Sequence, residues 1–103
     1  MKRTAIAIVV ARADDWRDAR ELAIAARAAG ADVALFAMDA AVPALAADAA
    51  GRAALTEADC ELIACGTTAH GLGLTAANVG VVLGSQDDHA AIVHRADRVV
   101  AFT

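Results

Sequence analysis

The stretch Thr4-Ala5-Ile6-Ala7-Ile8-Val9-Val10 decides the fold. Seven uncharged residues, four of them β-branched aliphatics, leave no wet face to alternate with a dry one. Such a run fits a strand covered on both sides, as in a parallel sheet between helices. Asp14 and Asp15 follow as an N-cap and first-turn acids, and Trp16, Ala19, Leu22, Ala23 and Ala26 fall near i, i+3, i+4 spacing. The pattern predicts a helix that Gly30 ends. Ala31 to Met38 then reads as a second strand.

The alternation continues to the end of the chain. Cys60 to Cys65 (CELIAC) reads as a third strand, followed by a Gly66-Thr67-Thr68 turn and a short helix. Val79 to Leu83 is the expected fourth strand. Ser85 is an expected N-cap, with Asp87 and Asp88 in the first turn of a helix running to about Ala96. Asp97 to Phe102 is the fifth strand. Between Asp39 and Asp59 the pattern is least legible: Pro43 fits the first turn of a short helix ending near Gly51, and the remainder is compatible with helix or loop. The expectation is an α/β fold in three layers, α/β/α, with a five-stranded, mainly parallel sheet and one domain over 1–103.

Composition narrows the function classes. The 103 residues are 59% hydrophobic with a net charge of −4, and only 3% are aromatic. Leu, Ile, Val and Phe make up about a quarter of the chain, above the roughly 20% floor associated with disorder. An acidic pI of 5.1 without clustered Lys and Arg argues against nucleic acid. No apolar run approaches the ~18 residues of a membrane helix. The beginning, from Met1 to Ala13, has the charges and small residues of a leader peptide, but its apolar run is only about eight residues long. It reads instead as a buried strand with a basic lead-in, and a cytoplasmic protein is expected.

Ligands of open parallel sheets bind beyond the C-terminal strand ends. That rule selects the loops after Val10, Met38, Cys65 and Leu83. Cys65 is the one residue there with intrinsic nucleophilicity at neutral pH, once its pKa is lowered. Gly66 permits close backbone approach, and amides at Thr67 and Thr68 suit a thiolate or an anion. An inert buried thiol is the alternative. His70, on the loop after Cys65, is a candidate proton donor or acceptor for the thiol. Cys60 starts the same strand, five residues and roughly 16 Å away, too far for a disulfide, and reads as packing. The C-x4-C spacing matches no common zinc motif, and His89 and His94 point about 140° apart on their helix, so both read as solvated. Arg12, Arg17, Arg20 and Arg27 read as a mixed solvated face. Gly71-Leu72-Gly73 lacks the third glycine of a dinucleotide fingerprint, and neither a phosphate-binding P-loop nor a G-x-S-x-G elbow occurs.

With these residues in view, the chain resembles the DsrE/DsrF-like sulfur-relay family, which includes TusD-type sulfurtransferase subunits. Cys65, Gly66 and Thr67, then Gly73 and Leu74, match a ten-residue stretch in which members carry Cys followed by small residues and then Arg-Gly-Leu or Arg-Gly-Val. Gly80-Val81, Gly84-Ser85, the run Ala96-Asp97-Arg98-Val99-Val100 and Phe102 also correspond. Two positions depart from the pattern: Thr68 stands where some members have a second cysteine, and Leu72 where members often have arginine. The resemblance implies homo- or hetero-oligomers, here a homo-oligomer (trimer or hexamer), and a cysteine, Cys65, that carries sulfur as a persulfide. Gly66, Thr67, Thr68 and His70 would then line the substrate site. Sulfur is itself the cargo, so no metal or organic cofactor is expected, and the partners are sulfur donor and acceptor proteins rather than nucleic acid or membrane. A catalytically silent subunit of such a relay and a small anion-binding domain are the competing readings.

Overall fold

In the computed structural model the described residues are 3–103, so the start of the basic lead-in lies outside them. Five strands form one sheet: β1 (Ala5–Val10), β2 (Asp32–Ala37), β3 (Glu61–Cys65), β4 (Val82–Gly84) and β5 (Arg98–Phe102). Their order is β4-β3-β2-β1-β5, and every pairing is parallel. The helices are α1 (Trp16–Ala28), α2 (Ala41–Ala46), α3 (Ala49–Glu57), α4 (Gly66–Gly71), α5 (Ala76–Val79) and α6 (Gln86–Arg95), with a short 3-10 turn before α1.

The alternation of side chains along each strand divides the core in two. Ile8, Val10, Val33, Leu35 and Ala64 face α1, α2 and α3, where Trp16, Ala19, Ala23, Val42, Leu45 and Leu55 complete the larger cluster. Ala7, Ala34, Phe36, Ile63 and Cys65 face the other way, against Ile92 of α6. The expected three-layer α/β/α fold is therefore present, with an entirely parallel sheet and a thin third layer.

Three expectations need correction. The fourth strand does not begin at Val79. Thr75 and Asn78 form a capping box that starts α5, Val79 is buried in that helix, and Gly80 at φ 83° ends it, so the strand is only Val82–Gly84. The unread segment 39–59 contains two helices, and the first stops at Ala46 rather than near Gly51. Asp48 begins the second by accepting the Gly51 amide at 3.0 Å, and Gly51 sits inside it because a Cβ there would collide with the Asp48 carboxylate. Arg20 is not part of a solvated face: its side chain is 20% exposed and reaches Asp48 at 2.6 Å.

Asp48 is the node that holds the helical layer together. It caps α3, accepts the Trp16 indole N–H at 2.9 Å and pairs with Arg20, thereby joining α1 to α3. Arg52, one turn into α3, donates to the carbonyls of Leu45 and Ala46 at 2.8 and 2.6 Å, closing the end of α2. Burial works to raise the Asp48 carboxyl, but the three donors outweigh it and hold the group below its ordinary 3.8. Its stabilising contribution is therefore complete above pH 3.8 and is lost as pH falls through the lower folded value.

Asp48→Ala is expected to cost about 2–3 kcal/mol, from a lost cap and two part-buried donors left unpaired. Thermal unfolding followed by Trp16, the sole tryptophan, should show a Tm lower by roughly 10 °C. The variant should also lose the acid-side decline in stability assigned to this carboxylate. An unchanged Tm contradicts the assignment.

Candidate functional site

Cys65 ends β3 and, in the same step, is the N-cap of α4, with φ −65° and ψ 117°. The expected turn is absent: Gly66 is already the first helical residue. The switch is this abrupt because two glycines allow it. A Cβ on Gly66 would meet the Gly84 carbonyl oxygen at 3.3 Å, and a Cβ on Gly84 would run into Ile63 and Asp88. The start of α4 thus lies directly against the end of β4, which brings Ser85 and the first turn of α6 over β3.

The sulfur of Cys65 meets groups that follow two adjacent strands, β3 and β4, and a group after β2 holds one of them. Thr68, whose hydroxyl accepts the Asp39 amide at 3.1 Å from the loop after β2, retains its own O–H to direct at the thiol. The amides of Thr67 and Thr68 face the sulfur across the first turn of α4, although neither closes a capping bond of ordinary geometry. From α6, Gln86 donates Nε2–H to Sγ at 3.7 Å, within the range for sulfur. Gln86 is itself held by His89, whose Nδ1 lies 3.1 Å from Oε1 and whose ring stacks on Phe36 with centroids 4.9 Å apart. Burial pushes the Cys65 thiol up; the hydroxyl of Thr68, the two amides and Gln86 outweigh that cost, and its pKa falls below the ordinary 9.0.

Two open grooves flank this point. One, of about 580 Å³, is lined by Asp39, Ala40, Pro43, Thr67, Thr68 and Leu72 among others. The other, of about 390 Å³, is lined by Gly66, Thr67, His70, Gly84, Ser85 and Asp88 among others. Thr67 lines both. Cys65 is only 3% exposed and lines neither groove; its neighbours Gly66, Thr67 and Thr68 do.

The expected site residues are therefore brought together in part. Gly66 supplies the close approach, and Thr67 and Thr68 face the sulfur. His70 lies on the last turn of α4, not on a loop; it is exposed and lines a groove, and among the described residues the donors to Cys65 do not include it. The expectation that His89 is simply solvated is overturned by its stacking and its bond to Gln86, whereas His94 is exposed. Gln86 and His89 are the residues that sequence reasoning missed. Their signal was the i, i+3 spacing behind the Ser85 N-cap, which puts both on one face of α6. The loop after Val10 takes no part.

Cys60 is placed at the opposite end of β3 and packs with the other core cluster. Its thiol donates to the Ala23 carbonyl at 3.6 Å, and burial, opposed by Arg27 and assisted by Asp59, pushes its pKa up. Both cysteines are free. Among the described residues, no three of His, Cys, Asp and Glu gather as a metal site, and no helix is long and apolar enough to cross a membrane.

The two thiols shift in opposite directions, so a small thiosulfonate reagent should modify Cys65 faster than Cys60 near neutral pH. The ratio should narrow as pH rises past the ordinary thiol value and Cys60 ionises. Peptide mapping of the folded protein reads both rates. Equal rates at pH 7 contradict the electrostatic assignment.

Comparison with known proteins agrees with this geometry. No curated protein matches the chain. The model of the DsrE/DsrF-like family matches residues 4–102, nearly the whole sequence, including Cys65 and all five strands. Members of that family generally work in sulfur relay. With its parallel five-stranded sheet and a cysteine at the end of the third strand, this chain belongs to the DsrE/DsrF-like family.

Proposed function

We propose that the protein is a sulfur carrier, a sulfurtransferase subunit that accepts sulfane sulfur on Cys65 as a persulfide and passes it on. The observation that carries this reading is the set of donors aimed at Sγ from Thr68, Thr67 and Gln86, which favours the thiolate despite burial. Thiolate is the form that attacks sulfur.

The chemistry balances without an oxidant. The Cys65 thiolate attacks the outer sulfur of a donor persulfide, R–S–SH. A bond forms between Sγ and that sulfur, which keeps its proton, the donor S–S bond breaks, and its electron pair leaves on the donor sulfur as thiolate. An acceptor thiolate repeats the exchange on the outer sulfur now held by Cys65, and Sγ departs as thiolate. Sulfur is cargo, and the partners are donor and acceptor proteins.

The residues around Sγ have distinct tasks in this cycle. The Thr68 hydroxyl, the Thr67 and Thr68 amides and Gln86 stabilise negative charge before attack and again when Sγ leaves. Gly66 and Thr67, with His70 and Ser85 beyond them, line the groove beside Cys65 that would receive the outer sulfur. His70, exposed in that groove, would exchange a proton with the incoming or outgoing thiol rather than with Sγ. Cys65 is buried at rest, so loading includes a local opening that exposes Sγ while its donors stay in place. That same burial is the observation favouring the competing reading, a silent relay subunit.

We place the protein in a homo-oligomer, a trimer or hexamer. Val82 on the edge strand β4 is 68% exposed and Leu72 beside the larger groove is 54% exposed. Apolar side chains of this size at the rim of a site suit a neighbouring subunit that shields the persulfide from stray thiols.

Native and intact mass spectrometry test both parts. After incubation with a sulfane-sulfur donor, the wild type and Cys60→Ala should each gain one sulfur atom that reduction removes, and Cys65→Ser should gain none. The native mass should be three or six times that of the 10.4 kDa chain. Absence of loading on freshly reduced wild type sinks the carrier reading in favour of the silent subunit. A mass near that of one chain removes the oligomer.

A further inference from the structure

Beside Cys65 runs a chain of side chains of which the proposed transfer uses only the last, Gln86. His89 Nδ1 meets Gln86 Oε1 at 3.1 Å, and Gln86 Nε2 meets Cys65 Sγ at 3.7 Å. The two ends of a carboxamide differ: the oxygen accepts and the nitrogen donates. Whichever end faces the sulfur decides whether the amide supports thiolate or thiol. If Oε1 faced Sγ it would accept from S–H and favour the protonated, unreactive form.

We propose that His89 is the positioning residue that fixes Gln86 with its N–H toward Cys65, so that Gln86 acts as a catalytic hydrogen-bond donor that keeps the sulfur in its nucleophilic form. To bond Oε1, the His89 ring carries its proton on Nδ1, and it then holds the oxygen end away from the sulfur. The ring is held in turn by Phe36, against which it lies stacked with an interplanar angle of 14°. Phe36 is fully buried on β2, so the device is anchored in the same small core cluster as Cys65. Gln86 and His89 are the first and fourth residues of α6, one turn apart, and the capping box of Ser85 and Asp88 sets that turn.

The inference rests on the reading of Cys65 as the sulfur-accepting nucleophile, and it also predicts a property measurable without any sulfur donor. The rate of Cys65 alkylation against pH is followed in a Cys60→Ala background. Gln86→Met keeps length and removes the donor. His89→Phe keeps an aromatic ring for stacking and removes Nδ1, whereas His89→Asn returns an N–H close to the position of Nδ1. Asp39, His70, Asp87 and Asp88 are the other ionisable groups of the loops and helix turns around the sulfur, and all are retained in every variant. Phe36, Ile63 and Ala34, which pack on the sheet side, do not titrate.

Gln86→Met should move the profile to higher pH and lower the rate at neutral pH roughly three- to tenfold, the range of a weak bond to a charged acceptor. His89→Phe should move it in the same direction by a smaller amount, and His89→Asn should restore most of that loss. Far-UV circular dichroism establishes that each variant is folded. A Gln86→Met profile that superimposes on the parent overturns the role of Gln86. Equal profiles for His89→Phe and His89→Asn overturn the positioning role, leaving the ring as packing alone. Sulfur loading of the same proteins separates the two levels. A parent that shows these shifts but takes up no sulfur removes the carrier function and leaves the device. A parent that loads normally, with profiles unmoved by the substitutions, removes the device and leaves the function.

Discussion

A residue that closes a strand and caps a helix in one step leaves no loop to absorb error, and the geometry around Cys65 depends on that constraint. The backbone passes from β3 into α4 at Cys65 itself, and the first helical amides already face the side chain. Two glycines make the passage possible: Gly66 lies against the Gly84 carbonyl, and Gly84 lies against Ile63 and Asp88. A side chain at Gly66 presses α4 against β4, and one at Gly84 collides with Ile63 of β3 and Asp88 of α6, so either displaces the start of α6 from β3. The donor set on the sulfur is thus a consequence of backbone packing before it is a matter of side-chain identity.

The all-parallel sheet supplies the rest. Parallel neighbours end on the same side, so the segments after β2, β3 and β4 are adjacent although they are far apart in sequence. Asp39 holds Thr68, Thr68 and Gln86 address Cys65, and His89 holds Gln86. The constellation lies at three adjacent strand ends and not at the β1/β5 crevice, where the strand order reverses. On the opposite face, Asp48 and Arg52 lock α1, α2 and α3 together. The helical layer behind β3 is thereby joined, and α4 and α6 carry the groups that address the sulfur.

Much of this was legible in the sequence. Apolar runs placed β1, β2, β3 and β5 within a residue or two; β1 and β2 are buried along most of their length and accept no polar interruption there, whereas the edge strand β5 is apolar but largely exposed. The fourth strand was misplaced because Val79, Gly80 and Val81 are apolar without being extended: local capping by Thr75 and Asn78 won over composition. The 39–59 segment resisted reading because its caps act through long-range partners, with Asp48 bound to Trp16 and Arg20 about thirty residues earlier. Cys65 stood out by residue type and strand-end position, and the contrast with Cys60 followed from which end of the strand each occupies. Gln86 and His89 did not stand out. An exposed glutamine and a helix histidine gain meaning only when the sheet brings β4 beside β3 and Phe36 beneath the ring. The burial of Cys65 was equally hidden, since it comes from α6 crossing to the far side of the sheet.

The central claim is that polar donors overcome burial and hold the Cys65 thiol below its ordinary ionisation value. Ultraviolet absorbance of the thiolate, titrated in folded Cys60→Ala so that one sulfur alone contributes, measures this directly. The account predicts a single midpoint below the ordinary thiol value of 9.0, which moves up to that value or higher on unfolding-free removal of the Thr68 hydroxyl by Thr68→Val. A midpoint at or above 9.0 in the parent protein would mean that burial prevails, and the sulfur would then be a packed core thiol.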